Sequence, residues 1–225
     1  MTPFDLSLYL VLDPCLCAGI GMVETARAAV AGGATMVQLR DKTGDTAQLV
    51  ATGKVLKSTL EGTGARLIVN DDVAAAVAIG ADGVHIGQGD MSAAEARAWI
   101  GPEAILGLSV ETPEMAAAAD PALVDYIGAG PVFATQTKLD HKLPVGFDGL
   151  AAQIAASSIP AVAIGGLKRR HIASVLAVGA RGIAVVSAIC GQRNPEAAAR
   201  ILATEIDAIR SRRLENAAPG ALVAG

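Results

Sequence analysis

Aromatic residues are scarce in this chain. Only 3% of its 225 residues are Phe, Trp or Tyr, whereas 52% are hydrophobic, so Ala, Val, Leu and Ile must supply most of the core. The strands of a β-sandwich are richer in aromatic residues and Thr. The composition therefore favours helices packed against buried parallel strands.

Cysteine is rare as well, and no basic run stands out. Cys15, Cys17 and Cys190 are an odd number without regular spacing, which argues against a disulfide framework and favours a reducing, cytoplasmic setting. Cys15 and Cys17 could supply two ligands of a metal site, but the sequence has no second pair of Cys or His residues at a suitable spacing to complete it. The net charge of −4 does not favour binding to the negatively charged backbone of a nucleic acid.

No segment of the sequence indicates a membrane span or a signal peptide. The first residues carry Asp5 and no basic residue before Arg27, which is not typical of a signal peptide. The uncharged stretch 149–167 is interrupted by Gln153, by Pro160 and by a Gly-Gly pair. We expect a helix and then a buried strand there. A homo-oligomer is compatible with the sequence.

Short apolar runs alternate with longer Ala-rich helical patterns along the whole chain. The predicted strands are Leu8–Leu12, Met36–Leu39, Leu67–Asn70, Gly83–Ile86, Ile105–Ser109, Tyr126–Ala129, Ala161–Ile164 and Gly182–Val186. The predicted helices are Val23–Ala31, Ala47–Leu60, Val73–Ile79, Ala93–Ile100, Glu114–Ala119, Leu150–Ala156, His171–Ala177 and Pro195–Arg213. Strict βα alternation predicts a parallel sheet.

The eight βα units favour closure into a (β/α)8 TIM barrel. An open doubly wound sheet would be expected to carry a glycine-rich turn after its first strand, and DPCLCAGIG does not match that pattern. Gly-Ala precedes a strand in GGATMVQL, IGADGVHI and VGARGIAVV, as expected where glycine ends a helix in the left-handed conformation. We predict one barrel domain over residues 1–213 and a flexible tail over 214–225.

Polar residues follow most of the predicted strands. In a barrel these positions share one rim, where functional residues lie. They are Gln38, Arg40 and Lys42, then Asn70, Asp71 and Asp72, then His85, Gln88 and Asp90, then Ser109, Glu111 and Thr112, and finally Thr135, Thr137 and Lys138. Acids, bases and hydroxyl groups on one rim indicate a site for a doubly charged anion and a metal.

The loops after the last two strands predict a phosphate site. Gly165 and Gly166 follow the seventh strand, and Val186 and Ser187 follow the eighth. Barrels often hold phosphate there on backbone N–H groups. The Gly-Gly pair alone is equally consistent with a tight βα turn, and its pairing with the second loop favours phosphate.

Two of the acidic residues have no evident structural task. Asp72 immediately precedes a helix and is expected to cap it. Ser92 and Glu95 form a capping box, so Asp90 is not needed as a cap. Asp71 and Asp90 are then available for Mg²⁺, which takes one or two carboxylates together with substrate phosphates.

The basic residues Arg40, Lys42 and Lys138 would face the same anion. Arg would bind it through two parallel hydrogen bonds, and each Lys would bind it through its single ammonium group. Each of them alone could equally be a solvated loop charge. Gln38 and His85 could equally be polar residues of the barrel interior, and we predict no acid–base role for His85.

Seven motifs, in order, resemble the thiamine-phosphate synthase family: VQLRDK, VNDD, GVHIGQGD, GLSVET, GPVFATQTK, AIGGL and IAVVSAI. The resemblance extends from about Leu8 to the last helix. It implies a TIM barrel that joins hydroxymethylpyrimidine pyrophosphate to hydroxyethylthiazole phosphate, with pyrophosphate leaving first and the thiazole nitrogen capturing the pyrimidine cation.

The resemblance also implies roles for individual residues. The pyrimidine pyrophosphate would be bound by Gln38, Arg40, Lys42, Asn70, Ser109 and Lys138, and Mg²⁺ by Asp71 and Asp90. The thiazole phosphate would be bound by Thr135, Thr137, Gly166, Val186 and Ser187. Arg40, Lys42 and Lys138 would act catalytically on the leaving group. The alternatives are a thiazole tautomerase, a thiamine phosphate sensor without catalysis, and an isomerase or epimerase on the same fold.

Overall fold

Eight parallel strands follow one another in chain order around a closed barrel. The structure is a computed structural model and describes residues 4–135 and 143–217. The strands are β1 (Leu8–Val11), β2 (Met36–Leu39), β3 (Arg66–Asn70), β4 (Gly83–Ile86), β5 (Ile105–Val110), β6 (Tyr126–Ala129), β7 (Ala161–Ile164) and β8 (Gly182–Val185). The predicted (β/α)8 TIM barrel is confirmed.

The helices cover the outside of the barrel. They are α1 (Met22–Ala31), α2 (Thr46–Leu60), α3 (Val73–Ile79), α4 (Ala93–Ile100), α5 (Pro113–Ala118), α6 (Gly146–Ala155), α7 (Ile172–Ala177) and α8 (Pro195–Ala217), and a short 3₁₀ turn at Arg169–His171 precedes α7. Within the described residues, no helix is both long and apolar enough to cross a bilayer.

Two helix boundaries differ clearly from the sequence prediction. Helix α6 begins four residues before Leu150, because Phe147 packs edge-on against Phe133 with ring centroids 5.3 Å apart, and this contact offsets the low helix propensity of the nearby glycines. Helix α8 passes Arg213 and continues to Ala217, since Leu, Glu and Ala are strong helix formers. Residues 218–225 lie outside the described part of the chain.

Glycine ends the helices at the three predicted Gly-Ala sites. The φ angles of Gly33, Gly80 and Gly179 are 104°, 69° and 102°. Side chains with a Cβ atom rarely adopt these positive values. Each glycine therefore lets the chain turn sharply from a helix into the next strand.

The core has two layers. The larger layer fills the space between strands and helices with Ala, Val, Leu and Ile, and a smaller one inside the barrel includes Tyr9, Met36, Ile68 and Tyr126. Gly107 leaves space for the interior rings, because a Cβ atom there would lie 2.2 Å from Cζ of Tyr126. The interior aromatic residues are thus accommodated by a missing side chain on a neighbouring strand.

Side-chain oxygens join strands in pairs at the amino ends of the barrel. The residue before β2, β4 or β6 accepts a hydrogen bond from a backbone N–H of the preceding strand, a contact that we call a strand clip. The clips are Leu8 N to Thr35 Oγ1 (3.2 Å), Leu67 N to Asp82 Oδ2 (2.8 Å) and Leu106 N to Asp125 Oδ2 (2.7 Å). They fix the stagger of three strand pairs.

The two acidic clips are also ion-paired. Arg97 contacts Asp125 at 2.8 Å with both side chains largely buried, and Lys57 contacts Asp82 at 2.8 Å. At the fourth pair, β7 and β8, Arg181 stands in the corresponding position, and its backbone carbonyl accepts a hydrogen bond from the guanidinium of Arg210 in α8. This contact links the last helix to the residue before β8, and the backbone bond from Arg181 N to the carbonyl of Ala161 joins β7 and β8 at this point.

Candidate active site

A pocket of about 400 Å³ opens at the carboxyl ends of the strands. It contains every predicted site residue that the structure describes, although these come from seven separate loops and strands. They are Gln38, Arg40, Lys42, Asn70, Asp71, Asp90, Ser109, Thr135, Gly166, Val186 and Ser187. Thr137 and Lys138 lie outside the described residues. The individual roles stay predictions, whereas the clustering is a property of the fold.

The three polar residues after β3 have different surroundings. Asp72 caps α3, accepting a hydrogen bond from Ala75 N at 2.8 Å, which confirms its predicted role. Asp71 has a φ of 62°, a left-handed conformation that Asp tolerates better than most residues. The carboxylate of Asp71 lines the pocket, and Asn70 ends the strand beside it.

The carboxylates of Asp71 and Asp90 are in contact. Burial, followed by hydrogen bonding and charge repulsion from the neighbouring Asp90, raises the pKa of Asp71 to about 6. Lys42 opposes this rise, since its Nζ lies 3.8 Å from Oδ2 of Asp71. Asp90 is anchored by Gly87 N, which donates to its Oδ2 at 2.7 Å. The capping box of Ser92 and Glu95 forms as predicted.

This pair of acids fits a hard divalent cation. Both donors are carboxylate oxygens, and a cation between them would offset the burial and the repulsion that raise the pKa of Asp71. Among the described residues, no group of three or more His, Cys, Asp or Glu side chains forms a complete protein cage for a metal. Two carboxylates with the remaining positions open to phosphate and water are what Mg²⁺ prefers.

A hydrogen-bonded network lies beneath the pocket, inside the barrel. Gln38 Nε2 donates to Tyr9 Oη at 2.8 Å, and the hydroxyl oxygens of Tyr9 and Tyr126 are 2.9 Å apart. His85 Nδ1 lies 2.9 Å from Tyr126 Oη, and His85 Nε2 lies 2.9 Å from Ser109 Oγ. Gln38 and Ser109, 71 residues apart in the chain, are thereby connected through three buried rings.

Sequence reasoning missed the two tyrosines, which are the only tyrosines in the chain. Their signal was present, since Tyr9 precedes Val11 and Tyr126 precedes Gly128 by two positions, and alternate strand residues face the same side. Burial raises the pKa of both phenols, so both remain protonated at neutral pH.

The loops after β7 and β8 lie on the opposite side of the pocket from the acids. Gly165 and Gly166 have φ angles of 103° and 61°. A Cβ atom at Gly166 would lie 2.7 Å from the carbonyl oxygen of Ala134. The glycines are therefore required by a close contact between two loops, and the same lack of side chains leaves the backbone open to an anion. This geometry is compatible with both alternatives for the Gly-Gly pair, a tight βα turn and a phosphate site.

Comparison with known proteins agrees with this arrangement. The family model described as thiamine monophosphate synthase matches residues 8–189. The chain is similar to the thiamine-phosphate synthase of Xanthobacter autotrophicus, with 51% identity over 92% of this chain and 99% of the relative. It is also similar to that of Azorhizobium caulinodans, with 47% identity over 92% and 98%.

Solved structures give the same result for the fold. The thiamine phosphate pyrophosphorylase from Pyrococcus furiosus superposes with a TM-score of 0.82 at 36% identity, covering 91% of this chain and 96% of that one. A 3-hexulose-6-phosphate synthase, 18% identical with a TM-score of 0.63 over 88% and 99%, shares the fold alone. The sequence relatives, the superposition and the rim of acids and bases lead to one conclusion: this chain belongs to the thiamine monophosphate synthase family.

Proposed function

We propose that this protein condenses hydroxymethylpyrimidine pyrophosphate with hydroxyethylthiazole phosphate, giving thiamine phosphate and pyrophosphate. One observation carries the proposal: the touching carboxylates of Asp71 and Asp90 lie with Lys42 at one side of a pocket whose other side is formed by the loops after β7 and β8. One side suits a pyrophosphate with its cation, and the other suits a monophosphate.

The residues of the pocket divide between the two substrates. Gln38, Asn70 and Ser109 line its floor and would hold the pyrimidine. Arg40 and Lys42 would bind the pyrophosphate and stabilise the negative charge that develops as it leaves. Thr135, Gly166, Val186 and Ser187 would hold the thiazole phosphate. Lys138 and Thr137 would join the two groups according to the family resemblance.

Asp71 and Asp90 would hold Mg²⁺, which would supply positive charge at the leaving pyrophosphate. The reaction needs no protein nucleophile if pyrophosphate leaves before the new bond forms. The remaining task of the protein is orientation, because the thiazole nitrogen must lie on the axis of the departing group. Rigid strand ends on both sides of the pocket suit that task.

The pair of acids also separates this proposal from its alternatives. A thiazole tautomerase or a sensor of thiamine phosphate has no need for two touching carboxylates beside Lys42, since neither binds pyrophosphate. An isomerase or epimerase would need an acid–base pair facing the pocket. His85 is hydrogen-bonded at both ring nitrogens to Tyr126 and Ser109, which does not suit that role.

The test is a synthase assay that measures pyrophosphate and thiamine phosphate together, with Mg²⁺ and with EDTA. We expect both products with Mg²⁺ and neither with EDTA. Asp71→Asn should abolish the activity, whereas the matched control Asp72→Asn should retain it, because Asn also caps helices. Thiazole phosphate binding without product in the wild-type protein would instead support a tautomerase or a sensor.

A further inference from the structure

Gln38 and Ser109 are the two ends of one unbroken hydrogen-bonded chain, which we call the interior chain: Gln38, Tyr9, Tyr126, His85 and Ser109. Each phenol in it carries a single hydrogen and a neutral imidazole carries one N–H. The hydrogen bonds must therefore run in a consistent direction from one end to the other. This direction determines whether Gln38 and Ser109 each present a hydrogen-bond donor or an acceptor to a bound ligand.

Gln38 sets that direction. Its Nε2 donates to Tyr9 Oη. The Tyr9–Tyr126 contact allows either phenol to donate, and the direction that uses the Tyr9 hydrogen within the interior chain has Tyr9 donating to Tyr126 and Tyr126 donating to His85 Nδ1. An imidazole that accepts at Nδ1 carries its hydrogen at Nε2. His85 then donates to Ser109 Oγ, and the Ser109 hydroxyl hydrogen is left to point towards the pocket.

We propose that Tyr126 and His85 are positioning residues that hold Gln38 as an acceptor and Ser109 as a donor towards the pyrimidine ring. The inference rests on the proposed function, since it assigns these ends to that substrate. An exocyclic amine on the ring would meet the amide oxygen of Gln38. The opposite direction would make His85 a base for Ser109, and it would leave the Tyr9 hydrogen without an acceptor in the interior chain.

The barrel interior is built around these rings. Tyr126 is completely buried and does not line the pocket, so it acts on a ligand only through its neighbours. A Cβ atom on Gly107 would lie 2.5 Å from Nδ1 of His85, and one on Gly128 would lie 3.1 Å from its Cε1. Two strand glycines thus provide the space in which the His85 ring is held.

The tautomer of His85 can be measured without any substrate. Long-range ¹H–¹⁵N correlation spectra of histidine-labelled protein distinguish the two neutral tautomers, and His85→Gln identifies the relevant signal. We expect the Nε2–H form in the wild-type protein at pH 8. In Tyr126→Phe we expect that preference to disappear. The Nδ1–H form in the wild type, or an unchanged tautomer in Tyr126→Phe, would overturn the inference.

Kinetics then test whether the direction affects specificity. Tyr126→Phe should lower the preference for the amino-pyrimidine pyrophosphate over its oxo analogue at least about tenfold, with an unchanged KM for thiazole phosphate. The matched control Thr25→Val removes another buried hydroxyl, one that donates from α1 to the carbonyl of Gly21 just before the helix, and should leave the preference intact. Equal slowing of both analogues would show a merely structural role.

The two proposals fail separately. If the wild-type protein makes no thiamine phosphate, the proposed function is wrong, and the tautomer spectra still decide the direction of the interior chain. If Tyr126→Phe does not fold, Tyr9→Phe interrupts the same chain and is expected to give the same loss of tautomer preference.

Discussion

Replacing Asp71 with Asn should make the metal-free protein more stable while it destroys activity. Asn has nearly the size of Asp and tolerates the left-handed backbone that residue 71 adopts, so the substitution removes the charge with little else. The native state then no longer holds two touching carboxylates, whereas the unfolded chain is hardly affected.

The magnitude follows from the pKa of Asp71. It rises from 3.8 to about 6 on folding, and about 1.4 kcal/mol per pKa unit gives an upper bound of about 3 kcal/mol. Because 34% of the Asp71 side chain is exposed, water reduces the cost of burying this charge beside Asp90, and we expect a gain of about 1–2 kcal/mol. That corresponds to a rise in Tm of about 3–6 °C for a chain of this size.

Because folding raises the pKa of Asp71, the stability gained by Asp71→Asn should be larger at high pH than at low pH. Above pH 6 native Asp71 is ionised and its full destabilising effect is present, so Asp71→Asn gains most there. As the pH falls through 6 towards 3.8, native Asp71 takes up a proton and the difference shrinks, to about half at pH 5. Below 3.8 both states are protonated and the difference vanishes.

Urea unfolding in EDTA at pH 8 and at pH 5 checks this expectation, with Asp72→Asn as the control. Added Mg²⁺ should raise the free energy of unfolding of the wild-type protein, because a ligand that binds the native state stabilises it. It should leave the free energy of unfolding of Asp71→Asn unchanged, because this variant lacks one of the two predicted Mg²⁺ ligands. An Asp71→Asn protein no more stable than the wild type at pH 8, or a gain that is equal at both pH values, would refute the reasoning.

Two further substitutions test the barrel itself. Gly107→Ala should lower the free energy of unfolding by about 1–3 kcal/mol, because its Cβ would lie 2.2 Å from Cζ of Tyr126. In the control Gly19→Ala the new Cβ meets no atom within 4 Å, so the free energy of unfolding should change by less than about 0.5 kcal/mol. Equal effects of the two substitutions would contradict the packing described for Gly107. Asp125→Ala leaves the buried Arg97 without its carboxylate and should cost about 3–5 kcal/mol in urea unfolding, so a loss under about 1 kcal/mol would show that the ion pair contributes little.

The fold and the rim of the site could be predicted from the sequence because both depend on local patterns. Strand after helix in strict alternation specifies a parallel barrel, and the barrel then places the residue after each strand on one rim. Asp71, Asp90 and Ser109 were predicted in this way, from their position after an apolar run. No knowledge of which side chains touch was needed.

The contacts between these residues could not be predicted, since they depend on stagger around the barrel. Tyr9 and Tyr126 are separated by 117 positions and meet only because eight strands close with one register. Asp71 meets Asp90 from a backbone with a positive φ, a conformation that the sequence does not reveal. The early start of α6 depends on Phe147 meeting Phe133, a contact between separate elements.

The strand clips divide the barrel into units that need not open together. Three strand pairs are joined by a side-chain oxygen of the residue before the second strand, whereas Arg210 of the last helix contacts Arg181 before β8 and Ser7 before β1. Fraying of α8 would release its contact with the residue before β8, so we expect hydrogen exchange to be faster at the amino end of β8 than at Leu67 or Leu106. Local opening at the amino ends of the barrel would then be greatest at β8 and least at the strand pairs that carry the acidic clips.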